Sequence, residues 1–154
     1  MKTNHLLALV ACGLLLAGIA SAQEKKIKRS DLPPAVEKTV AAQSEGATIR
    51  GFSLEKEKGK TLYEAEMMVN GHSKDVLIAA DGTVVEVEEQ VTLDSLSPEV
   101  KAGLQAKAGK GKILKVESLT KKEKLVAYEA QVETNGKKSE VQVGPDGKPL
   151  AHEE

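Results

Sequence analysis

The stretch LYEAEMMVNGHSKDVLIAADGTVVEVEEQV, at residues 62–91, contains the pattern that decides the fold. Apolar and polar residues alternate through it with a period of two, which is typical of half-buried β-strands. Asn70-Gly71 and Asp81-Gly82 interrupt the alternation, and both dipeptides favour tight hairpin turns because their residues tolerate positive φ. The stretch therefore predicts three antiparallel strands, and the residues before it, around 48–56, predict a fourth.

A related pattern, AYEAQVETNGKKSEVQVGPDGKPL, follows at residues 127–150. A shift of 65 residues superposes three landmarks of the two patterns: Tyr63 on Tyr128, Asn70-Gly71 on Asn135-Gly136, and Asp81-Gly82 on Asp146-Gly147. Matches that keep their order and spacing indicate an internal duplication. The sequence predicts a first repeat at residues 31–91, a second at residues 96–150, and a short boundary between them.

A helix is predicted to open each repeat. In the second repeat Ser97 suits the N-cap, Pro98 suits the first helical position, and Val100 and Leu104 form an apolar stripe. The first repeat has a similar opening near residue 34. The predicted fold class is α+β, with two tandem repeats that each pack a helix on an antiparallel sheet of about four strands. Because so small a unit is marginal alone, we expect the repeats to share a core or a continuous sheet.

Residues 1–22 are predicted to be a secretory signal peptide. Lys2 provides a positive start, residues 6–20 form an apolar run, and Ala20-Ser21-Ala22 fits a signal peptidase site. We expect cleavage after Ala22, export to the periplasm or beyond, and no stable membrane insertion afterwards, because an anchoring span needs ~20 apolar residues. A lipoprotein attached through Cys12 is the alternative, although the apolar run continues past Cys12. Residues 23–30 are predicted to be a flexible N-terminal segment.

Composition argues against several classes of function. Signal cleavage would remove Cys12, the only cysteine, which excludes thiol catalysis and cysteine-bound zinc in the exported chain. The formal net charge of -1 and the small aromatic supply argue against a nucleic-acid partner. The chain lacks motifs such as G-x-S-x-G and H-E-x-x-H, so we expect no enzymatic activity, no cofactor and no assigned metal site.

Residues 62–91, with the helix opening DLPPAVEKTV at residues 31–40, resemble the PepSY-like domain family of bacterial envelope modules. The fold of that family is similar to the repeats of β-lactamase-inhibitor protein. Residues 127–150 look like a weaker copy that has lost part of its last strand. The resemblance implies an exported, non-catalytic binding module of the bacterial cell envelope. Related domains in metalloprotease propeptides are thought to restrain peptidases, so the resemblance implies an envelope protein or peptidase as the partner, inhibited or modulated in trans.

The sheet face opposite the first helix is the candidate partner-binding surface. On that face the alternation places an apolar patch rimmed by carboxylates, which is typical of a binding surface. The predicted site residues are Leu62, Glu64, Glu66, Met68, Leu77 and Val84. The second repeat lacks most of the equivalent apolar side chains. A register error of one residue would move every one of these side chains to the opposite face.

A small-ligand or divalent-cation sensor is the alternative function. Glu86, Glu88 and Glu89 are close in the sequence and could hold a divalent cation, although an acidic strand facing solvent explains them as well. Of the two histidines in the exported chain, His72 follows a turn and His152 is in the C-terminal tail. Neither stands in a catalytic motif.

Overall fold

A computed structural model of the chain describes residues 25–57 and 59–154. The predicted signal peptide at residues 1–22 and the alternative lipidation site Cys12 therefore lie outside the described residues. Among the described residues, two α-helices and eight strands follow in chain order: β1 (Lys25–Ile27), α1 (Pro34–Gln43), β2 (Thr48–Glu57), β3 (Lys60–Val69), β4 (His72–Ala79), β5 (Val84–Val91), α2 (Pro98–Ala108), β6 (Lys112–Lys121), β7 (Lys124–Thr134) and β8 (Lys137–Val143). The predicted strand around residues 48–56 is confirmed as β2.

All eight strands form one antiparallel sheet in which the spatial order equals the chain order. Strands β5 and β6 join its two halves through continuous pairing, from Glu86 opposite Lys121 to Val91 opposite Val116. The prediction of two tandem helix-on-sheet units of about four strands each is therefore wrong, whereas the expectation of a continuous sheet is confirmed. Two separate sheets would each leave an edge of unpaired backbone groups at this position, and the pairing of β5 with β6 satisfies those groups.

Both helices pack on the same face of the sheet, which we call the helix face. Val36 and Val40 of α1 belong to one buried apolar cluster, and Val100 and Leu104 of α2 belong to another. The strands contribute to these clusters Ala65, Met67, Val76 and Ile78 in the first, and Val116, Ala130, Val132 and Val143 in the second. The predicted cap of α2 is confirmed, since the Ser97 hydroxyl accepts a hydrogen bond from the Val100 backbone N–H at 3.2 Å.

Two glycines bring the turns after β4 and β8 against the starts of the helices. Gly82 has a φ of +88°, and a Cβ built on it would lie 2.8 Å from the Ala35 carbonyl oxygen in α1. Gly147 has a φ of +77°, and its Cβ would lie 2.2 Å from the Glu99 carbonyl oxygen in α2. Glycine is required at both positions by backbone conformation and by close approach. These turns therefore fix how each helix sits on the sheet.

From residue 25, where the described residues begin, the N-terminal segment differs from the prediction of a flexible stretch at residues 23–30. Residues 25–27 form β1, which pairs antiparallel with β2 from Lys25 opposite Leu54 to Ile27 opposite Phe52. Ile27 packs against the first apolar cluster. This segment was predicted to be flexible because of its lysine-rich composition. The backbone pairing and the apolar contact of Ile27 instead hold it as a strand. Among the described residues, no helix has the length and hydropathy needed to cross a membrane.

Candidate binding surface on the open sheet face

The face of the sheet opposite the helices, which we call the open face, is mainly acidic. Cross-strand pairs carry its side chains in lateral rows across β3 to β8, because directly opposed residues point to the same face. Three such rows are Glu64–Leu77–Glu86–Lys121, Glu66–Asp75–Glu88–Leu119, and Met68–Ser73 continuing through Gln90–Glu117–Glu129–Gln142. The carboxylates therefore lie side by side over several strands, although they are far apart in the sequence.

The structure places five of the six predicted site residues on the open face: Leu62, Glu64, Glu66, Met68 and Leu77. Leu62 is only 3% exposed, so it supports the face rather than presenting a contact. For the sixth residue, Val84, the prediction is wrong. The register of β4 with β5 shifts between Leu77 and Ile78, so Val84 pairs with Ile78 and packs against the first apolar cluster on the helix face. A β-bulge of this kind adds one residue and reverses the alternation that the sequence predicts.

The centre of the open face holds a small acidic cavity of about 50 Å³. Its lining residues are Glu55, Glu64, Asp75, Leu77, Glu86 and Glu88. Next to it, Asp75, Glu88 and Glu117 each place one carboxylate oxygen within 4.8 Å of the others. Glu117 is 6% exposed, which is unusual for a glutamate. The cavity and these three carboxylates, together called the acidic centre, concentrate negative charge in a partly desolvated place.

Burial and mutual repulsion change the protonation of the acidic centre. Burial, with the nearby charges of Glu86 and then Glu129, raises the pKa of Glu88 to about 9. Burial, with the nearby charge of Glu64, raises the pKa of Asp75 to about 6. Both causes disfavour the ionised form of a carboxyl group. At about pH 7, Glu88 therefore holds a proton while Asp75 is largely ionised.

Three lysines partly balance the acidic charge around this centre. Lys115 Nζ lies 2.7 Å from Glu117 Oε1, and Lys121 Nζ lies 3.2 Å from Glu86 Oε2. Lys26 of β1 pairs with Glu66 at the other side of the face. Although burial alone would lower it, the pKa of Lys115 is raised by its hydrogen bond to Glu117 and by that carboxylate's charge. The lysines neutralise individual carboxylates, whereas the charge of Glu88 is removed by protonation.

The three glutamates that the sequence suggested for a cation do not share one face. Glu86 and Glu88 lie on the open face, but Glu89 is on the helix face, where its Oε1 lies 2.8 Å from His72 Nε2. Strand alternation separates Glu88 from Glu89. The structure instead brings Asp75 and Glu117 to Glu88. Asp75 could have been found from its spacing of two from Leu77, whereas Glu117 required knowledge that β5 pairs with β6.

Comparison with solved structures identifies the architecture. A BLIP-like protein from Bacteroides fragilis matches with a TM-score of 0.57 and 21% sequence identity, over 77% of this chain and 83% of that chain. The chain has a BLIP-like fold. A protein of the DUF2874 family from Bacteroides ovatus shares this fold, with a TM-score of 0.59 and 22% identity over 78% of this chain and 86% of that chain.

The BLIP-like fold also occurs in a Bacteroides eggerthii protein that is described as periplasmic. That structure matches with a TM-score of 0.62 and 21% identity, over 77% of this chain and 86% of that chain. No protein-family model matches the sequence, and no curated protein matches it. At these identities the likeness establishes the fold, and the narrower PepSY-like resemblance stays a prediction from the sequence.

Proposed function

We propose that this protein is an exported, non-catalytic binding module of the bacterial cell envelope, and that a partner protein docks a basic segment on its open face. The observation that supports the proposal is the acidic centre. Both helices pack on the opposite face, so the centre is left uncovered by them. Glu88 is protonated there because burial and its acidic neighbours outweigh the stabilisation available to its charge.

A cationic segment fits this face better than an acidic or purely apolar one. A lysine or arginine placed near the acidic centre would favour the ionised form of Glu88 and Asp75, because an opposite charge within ~4–6 Å lowers a carboxyl pKa. Attraction is stronger in a partly desolvated place than in bulk water. Binding should therefore release the proton of Glu88, and Leu77, half-buried at the edge of the cavity, offers an apolar contact beside the charges.

The positions of the aromatic side chains favour a partner that binds weakly over one that binds tightly. Tyr63 and Tyr128 pack against the two apolar clusters of the helix face, and Phe52 is only 7% exposed. Interface hot spots are enriched in Trp, Tyr and Arg, which the open face rows do not provide. Affinity must then come mainly from charges, with a dissociation constant of micromolar order. A modulator of an envelope peptidase, the partner class implied by the PepSY-like resemblance, fits this affinity better than a tight inhibitor.

Export and the absence of catalysis belong to the same proposal. Export is supported by the predicted signal peptide at residues 1–22 and by the B. eggerthii neighbour that is described as periplasmic. Catalysis is disfavoured because His72 is engaged by Glu89 on the helix face, away from the acidic centre. His152 is exposed in the C-terminal tail.

Site-specific photo-crosslinking in an envelope extract tests this proposal. A crosslinking amino acid replaces Leu77 on the open face and, as a matched control, the exposed Gln105 of α2. We expect position 77 to capture a partner through a segment rich in lysine or arginine, with excess octalysine preventing capture, and position 105 to capture nothing comparable. Equal capture from both positions, or capture through an acidic segment, would contradict the proposal.

Divalent-cation binding is the second candidate function, supported by the geometry of Asp75, Glu88 and Glu117. Their three oxygens are close enough together to contact one Ca²⁺, which binds carboxylate oxygens at ~2.3–2.6 Å. A cation would replace the proton on Glu88 and offset the repulsion among the carboxylates. This candidate differs from the sequence-based suggestion in using Asp75 and Glu117 instead of Glu86 and Glu89.

Calorimetry with calcium, zinc and copper salts separates the two candidates. Cation binding at the acidic centre predicts heat that depends on the buffer, because the proton of Glu88 is released. The Glu88→Gln variant should abolish that dependence, and Glu89→Gln on the helix face is the control that should retain it. An absence of heat at millimolar metal would remove this candidate and leave the basic-segment proposal intact.

A further inference from the structure

The C-terminal tail folds back from β8 onto the open face. After β8 the chain turns at Gly147, which packs against the start of α2 on the helix face. Leu150 then lies beside Gly144, at 3.5 Å from the position of a Cβ built there. Glu153 lines a groove on β7 and β8 with Gln131 and Glu140, both of which belong to the open face. Residues 151–154 therefore pass from one face of the sheet to the other.

Two contacts hold the end of this tail. The backbone N–H of Glu154 donates a hydrogen bond of 2.8 Å to Gln142 Oε1, and Gln142 is 6% exposed. The carboxylate of Glu154 lies 3.6 Å from Lys121 Nζ. Both contacted side chains belong to the open face rows, in which Gln142 is directly opposite Glu129 and Lys121 is directly opposite Glu86.

Each of the two contacted side chains, Gln142 and Lys121, also contacts a carboxylate of the open face. Gln142 uses its amide N–H to donate a hydrogen bond of 2.7 Å to Glu129 Oε2 while its oxygen accepts from Glu154. Lys121 shares its ammonium group between Glu154 and Glu86, the latter at 3.2 Å. Glu86 also lines the cavity of the acidic centre. The position of the tail thus affects two carboxylates that a basic segment would meet.

From this geometry we propose that residues 151–154 are a displaceable strap, which covers the open face over β6–β8 and must leave before a basic segment can occupy the whole face. The proposal rests on the basic-segment function and adds regulation of the same surface. A tail held by side chains on the face itself competes with any ligand for that area. Lys121 also contacts Glu154. Release of the strap therefore removes this contact, while the ion pair of Lys121 with Glu86 remains.

The contacts predict the size of the effect. One neutral hydrogen bond and one partly exposed ion pair are worth little in water, and together they favour the seated strap by a ratio of about 5. Only the released fraction binds without competition, so the apparent dissociation constant is raised in proportion. Loss of the strap alone should therefore tighten octalysine binding about fivefold, and a chain that ends at Leu150, which also loses two carboxylates, should bind about two- to threefold more tightly than the full chain.

Simple electrostatics predicts the opposite sign for this truncation. Removing residues 151–154 deletes the carboxylates of Glu153 and Glu154, which would weaken the binding of a cationic peptide by about twofold in low salt. The matched control is the double variant Glu153→Gln plus Glu154→Gln, which keeps residues 151–154 and the hydrogen bond from the backbone N–H of residue 154 but loses the charges and the ion pair with Lys121. We expect this control to bind octalysine no more tightly than the full chain.

A ligand-free measurement makes the strap testable independently of any binding. Backbone ¹⁵N relaxation should show Glu154 as restrained for most of the time and clearly more ordered than a freely moving chain end, and truncation after Leu150 should shift the side-chain amide signals of Gln142. A freely moving Glu154 with unchanged Gln142 signals would overturn the strap, whatever octalysine does. Weaker octalysine binding by the truncated chain would also overturn it.

The two proposals fail in distinguishable ways. If relaxation shows a seated strap and truncation tightens octalysine binding, both stand. If the strap is seated but octalysine binds neither the full nor the truncated chain, the basic-segment function is contradicted, and the strap is contradicted as a regulator. If octalysine binds both chains equally, the function stands and the strap fails.

Discussion

The two faces of the sheet differ in how their residues are stabilised. The helix face consists of apolar side chains packed under α1 and α2, with Val36, Val40 and Leu104 fully buried. The open face has buried side chains too, and one of them, Glu117, is a carboxylate that is 6% exposed, less than Leu32 and Leu96 of the core. Burial on the helix face supplies hydrophobic stabilisation, whereas burial on the open face imposes a cost of desolvation.

This difference shows where stability and function reside in one sheet. Native proteins retain few unfavourable arrangements, and perturbed titratable groups concentrate at functional sites. The raised pKa values of Glu88 and Asp75 lie on the face that the helices leave uncovered. Substitutions on the helix face should therefore reduce stability, and substitutions at the acidic centre should increase stability while they reduce binding.

The largest expected effect is the loss of a core side chain from the helix face. Leu104→Ala removes a fully buried side chain of α2 and should lower the free energy of unfolding by about 3 kcal/mol. Leu77→Ala on the open face, where the side chain is half-buried, should cost about 1 kcal/mol or less. Urea denaturation of both variants checks the comparison. Equal losses would mean that the open face contributes as much core as the helix face.

The next largest loss of stability is expected where the turn after β8 contacts the start of α2. A closely matched control is available for this position. Gly147 and Gly136 have nearly equal φ values of +77° and +76°, but only Gly147 lies against a backbone carbonyl, that of Glu99. Gly147→Ala should lower stability by about 3 kcal/mol, and Gly136→Ala should lower it by about 1 kcal/mol, because only the first adds a steric clash to the strain of positive φ. Thermal unfolding measures both, and equal changes would show that Gly147 does not fix the helix.

The acidic centre should make the protein less stable as pH rises. The pKa of Glu88 is raised to about 9 in the folded state, so the folded state retains a proton that the unfolded state releases above its ordinary pKa of 4.5. The stability associated with Glu88 is fully present below that pKa and is lost as pH rises towards 9. Asp75 adds a smaller loss between its ordinary value of 3.8 and about 6.

Glu88→Gln removes this dependence because glutamine has a similar shape and no charge. The variant should be more stable than the parent chain by at least about 2 kcal/mol at about pH 8, and the difference should vanish at about pH 4. Glu133→Gln, an exposed position on β7, is the control and should change the stability little at either pH. Parallel pH profiles for Glu88→Gln and the parent chain would refute the proposed protonation.

Salt provides the smallest and most direct check on the nature of binding. Octalysine attracted mainly by charge should bind about tenfold more weakly when ionic strength rises from about 0.05 M to about 0.3 M, since screening shortens the reach of charges. Fluorescence anisotropy of labelled octalysine measures this. Binding that is insensitive to salt would point to apolar contacts around Leu77 and Met68 instead of the carboxylates.

Local patterns in the sequence predicted much of the fold but not the joining of its strands. Asn70-Gly71 and Ser97 specify a turn and a cap through their own backbone preferences, and both are confirmed by the structure. The pairing of β5 with β6 joins residues that are far apart in the sequence, from Val91 opposite Val116 to Glu86 opposite Lys121, and no local signal specifies it. The small size of the repeats led us to expect a shared core or a continuous sheet, but local patterns could not identify the strands that join, and the error of two helix-on-sheet units arose there.

Only part of the candidate site was predicted, again because contacts between strands far apart in the sequence leave no local pattern. Period-two alternation placed Glu64, Glu66 and Leu77 on the correct face, but the β-bulge before Ile78 moved Val84 to the other. Glu117 lies close to Glu88 only because β5 pairs with β6, so local alternation could not predict the acidic centre. The raised pKa of Glu88 depends on three-dimensional burial, which a sequence pattern does not measure.

The most direct test of the central claim is a ¹³C NMR titration of the Glu88 side-chain carboxyl with and without octalysine. The account predicts a pKa of about 9 for the free protein and a pKa lower by at least about one unit in the complex, because the cationic peptide favours the charged carboxylate. A Glu88 pKa near its ordinary value of 4.5 in the free protein, or one unchanged by saturating octalysine, would contradict the claim that the open face binds a basic segment.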